Sequence, residues 1–248
     1  MSNFYATSEL ARHYDVHCSG RRDLGFYVEL AARLDAGVVA DIGAGTGMLC
    51  SLLASRGHHV IGLEPQATML EIARRQPYAD RVTWLHGTAA ALPDSQAHLV
   101  VMTGHVAQYF LDDASWLDVL RHARRALQPN GHVAFEVRNK EVEAWRDWQF
   151  TEPRRVDGGS LRQDVLVDGD LVTHVGRWSV DGREFVTSET LRFPSWEDVE
   201  RGLAGVGLQQ VETWGDWDGS PVSSTAPEWI VLAARDCQPS HPRRSCPR

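Results

Sequence analysis

Four residues at alternate positions, Asp41, Gly43, Gly45 and Gly47, carry the clearest chemistry in this chain. They form a D-x-G-x-G-x-G pattern between the apolar run Val38-Val39-Ala40 and the helix-forming stretch that starts near Met48. Glycines at this spacing tolerate positive φ and admit a ligand close to the backbone. A strand–turn–helix context then aims the N–H groups of a helix N-terminus at that ligand. A dinucleotide fingerprint would need a third glycine where Met48 stands, which disfavours a nicotinamide dehydrogenase. An acid two residues before the first glycine would repel a pyrophosphate and suits a ligand that carries an ammonium group. Glu64 follows 17 positions after Gly47, closing the run His59-Val60-Ile61-Gly62-Leu63. A carboxylate at such a strand end can accept both hydroxyls of a ribose.

Other reactive residues say less. His13 and His17 stand four apart, but no glutamate completes a zinc-type pattern, so surface histidines and no metal site are expected. Cys50 falls inside a helix, poorly placed as a nucleophile. The four cysteines form no C-x-x-C pair, which fits reduced thiols in a cytoplasmic protein. The net charge of −8 argues against a nucleic-acid partner, which needs a basic footprint. No apolar run is long enough to span a membrane, and residues 1–10 are too polar for a secretion signal. Neither a nucleic acid nor a membrane is therefore expected as a partner.

These residues need elements to position them. Two helices joined at Ser19-Gly20 are expected from 7 to 34, as an N-terminal cap over residues 1–36. Strands follow at 38–42, 59–64, 81–86, 97–102 and 132–137, with helices after the first two and over 112–127. This βαβ alternation gives a doubly wound α/β core over 37–139. From 140 to 194 the pattern changes. A short helix at 141–148 precedes strands at 161–167, 171–180 and 183–193, joined by Asp168-Gly169 and Asp181-Gly182 turns. This is an inserted antiparallel β-sheet, either decoration or a lid that also supports a homodimer; the lid is preferred. Ser195 and Asp198 form a capping box for a helix that Gly207 ends. Strands at 208–214 and 228–234 complete the core over 195–234. The Pro-, Ser- and Arg-rich stretch 235–248 is expected to be a disordered tail.

The glycine pattern resembles motif I of the class I S-adenosylmethionine-dependent methyltransferases, and Glu64 resembles their motif II. Arg125-Ala126-Leu127-Gln128-Pro129-Asn130-Gly131 is similar to their L-x-P-G-G segment, with Asn130 in place of one glycine. The strand insertion resembles amino-sugar N-methyltransferases and glycine N-methyltransferase. The resemblance implies a Rossmann-like seven-stranded sheet with its last strand antiparallel, and S-adenosyl-L-methionine as cofactor. It implies cofactor contacts from Asp41, Gly43, Ala44, Gly45 and Gly47, then from Glu64, Pro65 and Met69. Gly87, Thr88 and Ala89 would face the adenine, where Thr88 replaces the usual aspartate; either its hydroxyl or the Ala89 backbone would serve. Thr103 and Gly104 would close the cofactor site. The implied fold sets the end of the fourth strand near the transferable methyl, making His105 either a general base or a pocket wall. Tyr14, in a Tyr-Asp pair of the N-terminal helix, either closes over the cofactor or packs its own helix. Gln108, Arg138, Asn139, Asp216 and Trp217, with Tyr14 and His105, are the expected acceptor contacts. The expected activity is methyl transfer to an amine or hydroxyl of a small molecule, with a non-catalytic cofactor-binding module as the rival.

Overall fold

In a computed structural model, residues 3–235 are described; the tail expected beyond 235 lies outside them. Three short helices open the chain: α1 (Ser8–Ala11), α2 (Tyr14–His17) and α3 (Asp23–Arg33). Alternation follows through β1 (Val38–Ile42), α4 (Met48–Ser55), β2 (His59–Glu64), α5 (Ala67–Ala73), β3 (Val82–His86) and β4 (Ala97–Met102). Then come α6 (Asp113–Ala126), β5 (Leu127–Arg138), β6 (Phe150–Val156), β7 (Gly159–Asp168), β8 (Leu171–Val180) and β9 (Arg183–Arg192). The chain closes with α7 (Trp196–Gly205), β10 (Leu208–Trp214) and β11 (Glu228–Arg235).

The main sheet has seven strands in the order β10-β11-β5-β4-β1-β2-β3. Pairing is parallel from β5 to β3, whereas β11 runs antiparallel to both β5 and β10. Successive side chains of a strand face opposite sides, and the core divides accordingly. Ala40, Ile42, Val100, Met102, Val133 and Phe135 pack with α6 and α7. Val39, Leu99, Val101 and Ala134 pack with α3 and α4 on the other face. The inserted sheet is wholly antiparallel, in the order β6-β7-β8-β9.

Several boundaries depart from the sequence expectations for local reasons. The first expected helix breaks at Arg12-His13, because Arg12 pairs with Asp181 and His13 with Asp157 of the inserted sheet. Each resulting piece is a single turn, too short to hold itself without such tertiary anchors. Strand β6 escaped the sequence reading: it is mostly exposed, contains Pro153, and has an irregular register between Phe150 and Arg154. Edge strands tolerate such features, and they erase the alternating signal. The helix expected at 141–148 is instead two 3₁₀ turns, broken where Glu143 takes a φ of +49°. The capping box of Ser195 and Asp198 forms as expected, Asp198 N–H donating to Ser195 Oγ at 3.2 Å. Both residues of the Asp181-Gly182 turn have positive φ, matching the twist of the β8–β9 hairpin.

Candidate functional site

The carboxyl ends of β1, β2, β3 and β4 meet at a cleft of about 430 Å³. The turn after β1 is built by backbone bonds: Gly43 and Ala44 both donate N–H groups to Leu63 O, at 2.8 and 2.9 Å. Glu64 ties this turn to the next one. Its Oε2 accepts the Gly45 N–H at 2.9 Å and its Oε1 the Gln66 N–H at 2.8 Å. Each oxygen keeps lone-pair capacity for a further donor. Burial pushes the Glu64 carboxyl upward, and the two backbone N–H groups oppose that shift. Gly43, Ala44, Gly45, Glu64, Pro65, Met69, Gly87, Thr88, Ala89, Thr103, Gly104 and Tyr14 all line this cleft.

Asp41 and Gly47 do not line it. Gly47 has φ +79° and packs behind the turn, where a Cβ would lie 2.7 Å from Trp84 and 3.0 Å from Ala73 Cβ. Asp41 is buried, accepting the Cys50 S–H at 3.4 Å, with Oδ1 unpartnered. Desolvation raises its pKa to about 7, against the lowering effect of Cys50. The contact expected between Asp41 and the ligand is therefore absent from the cleft lining. Strand alternation turns this side chain toward α4, whereas the chain reaches the ligand side only at the turn.

A second cavity, of about 640 Å³, lies beside the first. His105, Arg138, Asp216, Trp217 and Tyr14 line it. His105 sits in left-handed backbone, φ +64°, held by its N–H donating to Glu136 Oε1 at 2.6 Å. Its Nε2 lies 3.0 and 3.1 Å from the two oxygens of Glu228. Burial, then the Arg138 charge, lowers the His105 pKa to about 3. Burial raises Glu228 to about 7, although Arg138 opposes it. The cavity thus presents an uncharged imidazole at neutral pH. Arg138 donates to Gln108 Oε1 at 2.9 Å and lies 4.9 Å over the Trp148 ring.

Gln108 and Asn139, expected at the acceptor, line neither cavity. Gln108 is fully buried and donates to Arg192 O at 2.8 Å. Asn139 is fully buried too, donating to Ala226 O at 2.8 Å and accepting the Glu141 N–H at 2.9 Å. Both are spent on joining loops to the sheet. His13 bonds Asp157, and His17 packs edge-on against Trp178 at 5.2 Å. Among the described residues no cluster of potential ligands could hold a metal ion.

Six residues line both cavities: Tyr5, Tyr14, Arg21, Gly104, Tyr109 and Glu189. Only Tyr14 and Gly104 were expected from sequence. Arg21 is clamped by Asp23, with Nε 2.8 and 2.9 Å from its two oxygens. Tyr5 and Tyr109 share a hydroxyl contact of 2.6 Å. One signal was available for Glu189: it falls in phase with Phe185, Thr187 and Leu191, an acid on the inward face of β9. Tyr5 carried none, since its position depends on a partner far along the chain.

Residues 39–131 match a methyltransferase domain family. A ubiquinone biosynthesis O-methyltransferase of Pectobacterium atrosepticum is 30% identical over 126 residues, covering 49% of this chain and 51% of that protein. A biotin biosynthesis bifunctional protein of Cellvibrio japonicus is 32% identical over 148 residues, covering 56% of this chain and 29% of that protein. The chain thus spans about half or less of these curated relatives. Among solved structures, the CcbJ methyltransferase of Streptomyces caelestis superposes with a TM-score of 0.80 at 19% identity, covering 94% of this chain and 99% of that one. An amino pentose methyltransferase of Micromonospora echinaspora, solved with S-adenosylmethionine bound, gives 0.66 at 20% identity, covering 95% and 100%.

Proposed function

We propose, taking the chain as a class I S-adenosylmethionine-dependent methyltransferase by domain and fold, that it methylates an amine or hydroxyl of a small molecule by in-line displacement. A secondary metabolite or amino sugar is the expected kind of acceptor. One observation carries this reading: the cleft built from the strand ends and the larger cavity share six lining residues, so a donor and an acceptor can meet between them.

The cleft suits the donor chemically. Gly45 leaves room, since a Cβ there would meet only Met69 Cε at 3.8 Å. Glu64 would accept the ribose hydroxyls with its remaining lone pairs. Thr88 and Ala89 would stand at the adenine, and Thr103 with Gly104 toward the acceptor. S-adenosylmethionine bound there supplies a methyl carbon made electrophilic by a positively charged sulfur. The chain's own work is to orient the acceptor and exclude water. The N-terminal cap and the inserted sheet would do this as a lid, because Phe4, Leu10, Leu161, Trp178 and Val180 form one apolar cluster between them. A neutral His105 beside Glu228 would take the proton from a hydroxyl acceptor, or only wall the cavity for an amine.

A cytoplasmic setting belongs to the same reading, supported by free thiols at Cys18 and Cys50. So does self-association through the outer β7–β8 hairpin, where Leu166 is 63% exposed. Methyl-labelled S-adenosylmethionine incubated with the protein and a metabolite mixture tests the activity. Label should pass to the small-molecule fraction. Label that remains on a tightly bound donor would leave a non-catalytic binding module.

A further inference from the structure

Glu189 is the acid that the inserted sheet brings to the boundary of the two cavities. All its polar contacts fall on one oxygen. Oε2 lies 3.4 Å from Tyr5 Oη and 3.3 Å from Tyr109 Oη, with His174 Nε2 at 3.3 Å. Oε1 has no such partner among the described residues, and its side chain is 14% exposed. No lysine or arginine among the described residues comes within ion-pairing distance of it. The contrast with its neighbours is sharp, because Arg21 is neutralised by Asp23 and Arg192 by Asp113 and Asp170. A part-buried carboxylate with a free oxygen and no lysine or arginine partner attracts a cationic ligand. The two tyrosines, whose hydroxyls lie 2.6 Å apart, hold its orientation, one hydroxyl donating to Oε2 and the other to its neighbour.

We propose that Glu189 selects a basic amine as the methyl acceptor, holding the nitrogen at the junction through Oε1. This rests on the methyl-transfer reading above and narrows it from amine or hydroxyl to amine. The bound ammonium first gives one proton to solvent; during transfer the freed nitrogen lone pair forms the new N–C bond and the pair of the breaking C–S bond stays on sulfur. The positive charge therefore passes from sulfur to nitrogen. A carboxylate beside the nitrogen stabilises the charge that develops there. Beside a hydroxyl acceptor the same carboxylate would oppose the build-up of negative charge on oxygen as its proton leaves. Tyr5, Tyr14 and Tyr109 line the same junction, an aromatic setting compatible with a cation.

Matched probes test the proposal without knowledge of the natural acceptor. Protein loaded with S-adenosylhomocysteine is titrated with methyl 3-amino-3-deoxyglucoside and with methyl glucoside, and likewise with 2-phenylethylamine and 2-phenylethanol. Each pair differs only in an ammonium group against a hydroxyl. At least one amine should bind roughly tenfold more tightly than its alcohol, as expected for a part-buried charge-assisted contact. Glu189→Gln, which keeps the shape, should erase that preference while S-adenosylhomocysteine affinity stays within twofold. Glu189→Asp should retain part of the preference. Amines that bind no better than their alcohols to the wild type would overturn the proposal. So would an intact preference in Glu189→Gln, or a tenfold loss of S-adenosylhomocysteine affinity there, which would assign the carboxylate to the donor. Failure of the wild type to bind S-adenosylhomocysteine at all would sink the methyl-transfer reading itself.

Discussion

The cleft at the strand ends and the cavity beside it are built by opposite means. The cleft is made of consecutive residues at strand ends, and most of its contacts come from backbone: Gly43, Ala44, Gly45 and Gln66 donate N–H groups that shape it. The cavity is made of side chains from segments far apart, such as Tyr5 and Glu189, 184 positions distant from each other. A backbone site tolerates change in side chains but not in glycine geometry. A side-chain site tolerates no loss of its charged or aromatic groups, yet little of the fold depends on them. The two halves should therefore fail differently when altered.

The largest effect is expected behind the cleft. Gly47→Ala combines left-handed backbone with a Cβ 2.7 Å from Trp84, costing about 2–4 kcal/mol from strain and overpacking. Thermal unfolding of this variant should fall well below that of Gly20→Ala, where the φ is also positive but nothing lies within 4 Å. Equal melting temperatures would show that packing behind the turn does not matter.

Asp41→Asn sharpens the same half through pH. The folded pKa of Asp41 is raised to about 7 from 3.8, chiefly by desolvation. A carboxyl with a raised folded pKa favours the native state while protonated, and that contribution is lost as pH rises through about 4 to 7. The variant has no proton to lose, so its stability relative to wild type should grow across that window. The gain should reach roughly 3 kcal/mol by pH 8, at 1.4 kcal/mol per pKa unit with some relaxation. A difference that stays flat with pH would mean the Asp41 carboxylate is better solvated than its burial implies.

Glu64→Ala should weaken cofactor binding by about 1.5–3 kcal/mol, the range for charge-assisted hydrogen bonds. Calorimetry with S-adenosylhomocysteine reads this directly, and unchanged affinity would make Glu64 a purely structural tie. His105→Ala probes the other half and should be the smallest effect. With an amine acceptor its imidazole, already neutral across the working pH range, supplies position only. Hence kcat/KM should fall about tenfold or less, by the same factor at every pH from about 6 to 9. A loss of about 10²–10⁴-fold would instead mark a general base acting on a hydroxyl.

The contrast also explains what the sequence disclosed. The cleft was legible because its determinants are local: glycine spacing around Gly43–Gly47, the acid ending β2, and the apolar alternation of β1 and β4. Asn130, which stands where the resembled segment has a glycine, has a φ of +64°, a left-handed conformation that asparagine tolerates. The fate of Asp41 was not legible, because a motif states which residue precedes the glycines but not which face of the strand it leaves from. Gln108, Arg138 and Asn139 looked equivalent as polar residues after strands. Only tertiary packing turns Arg138 into the cavity and buries the two amides against Arg192 and Ala226. Glu189 and Tyr109 meet Tyr5 through the docking of the inserted sheet on the N-terminal cap, a long-range event with no local pattern.

The account stands most directly on the ligand of the cleft. Isothermal titration of the wild type with S-adenosylmethionine, S-adenosylhomocysteine and the nicotinamide dinucleotides measures it in one series. Heat of binding with the two adenosyl ligands, reduced in Glu64→Ala, and none with the dinucleotides is the expected result. Binding of a nicotinamide dinucleotide alone would contradict it.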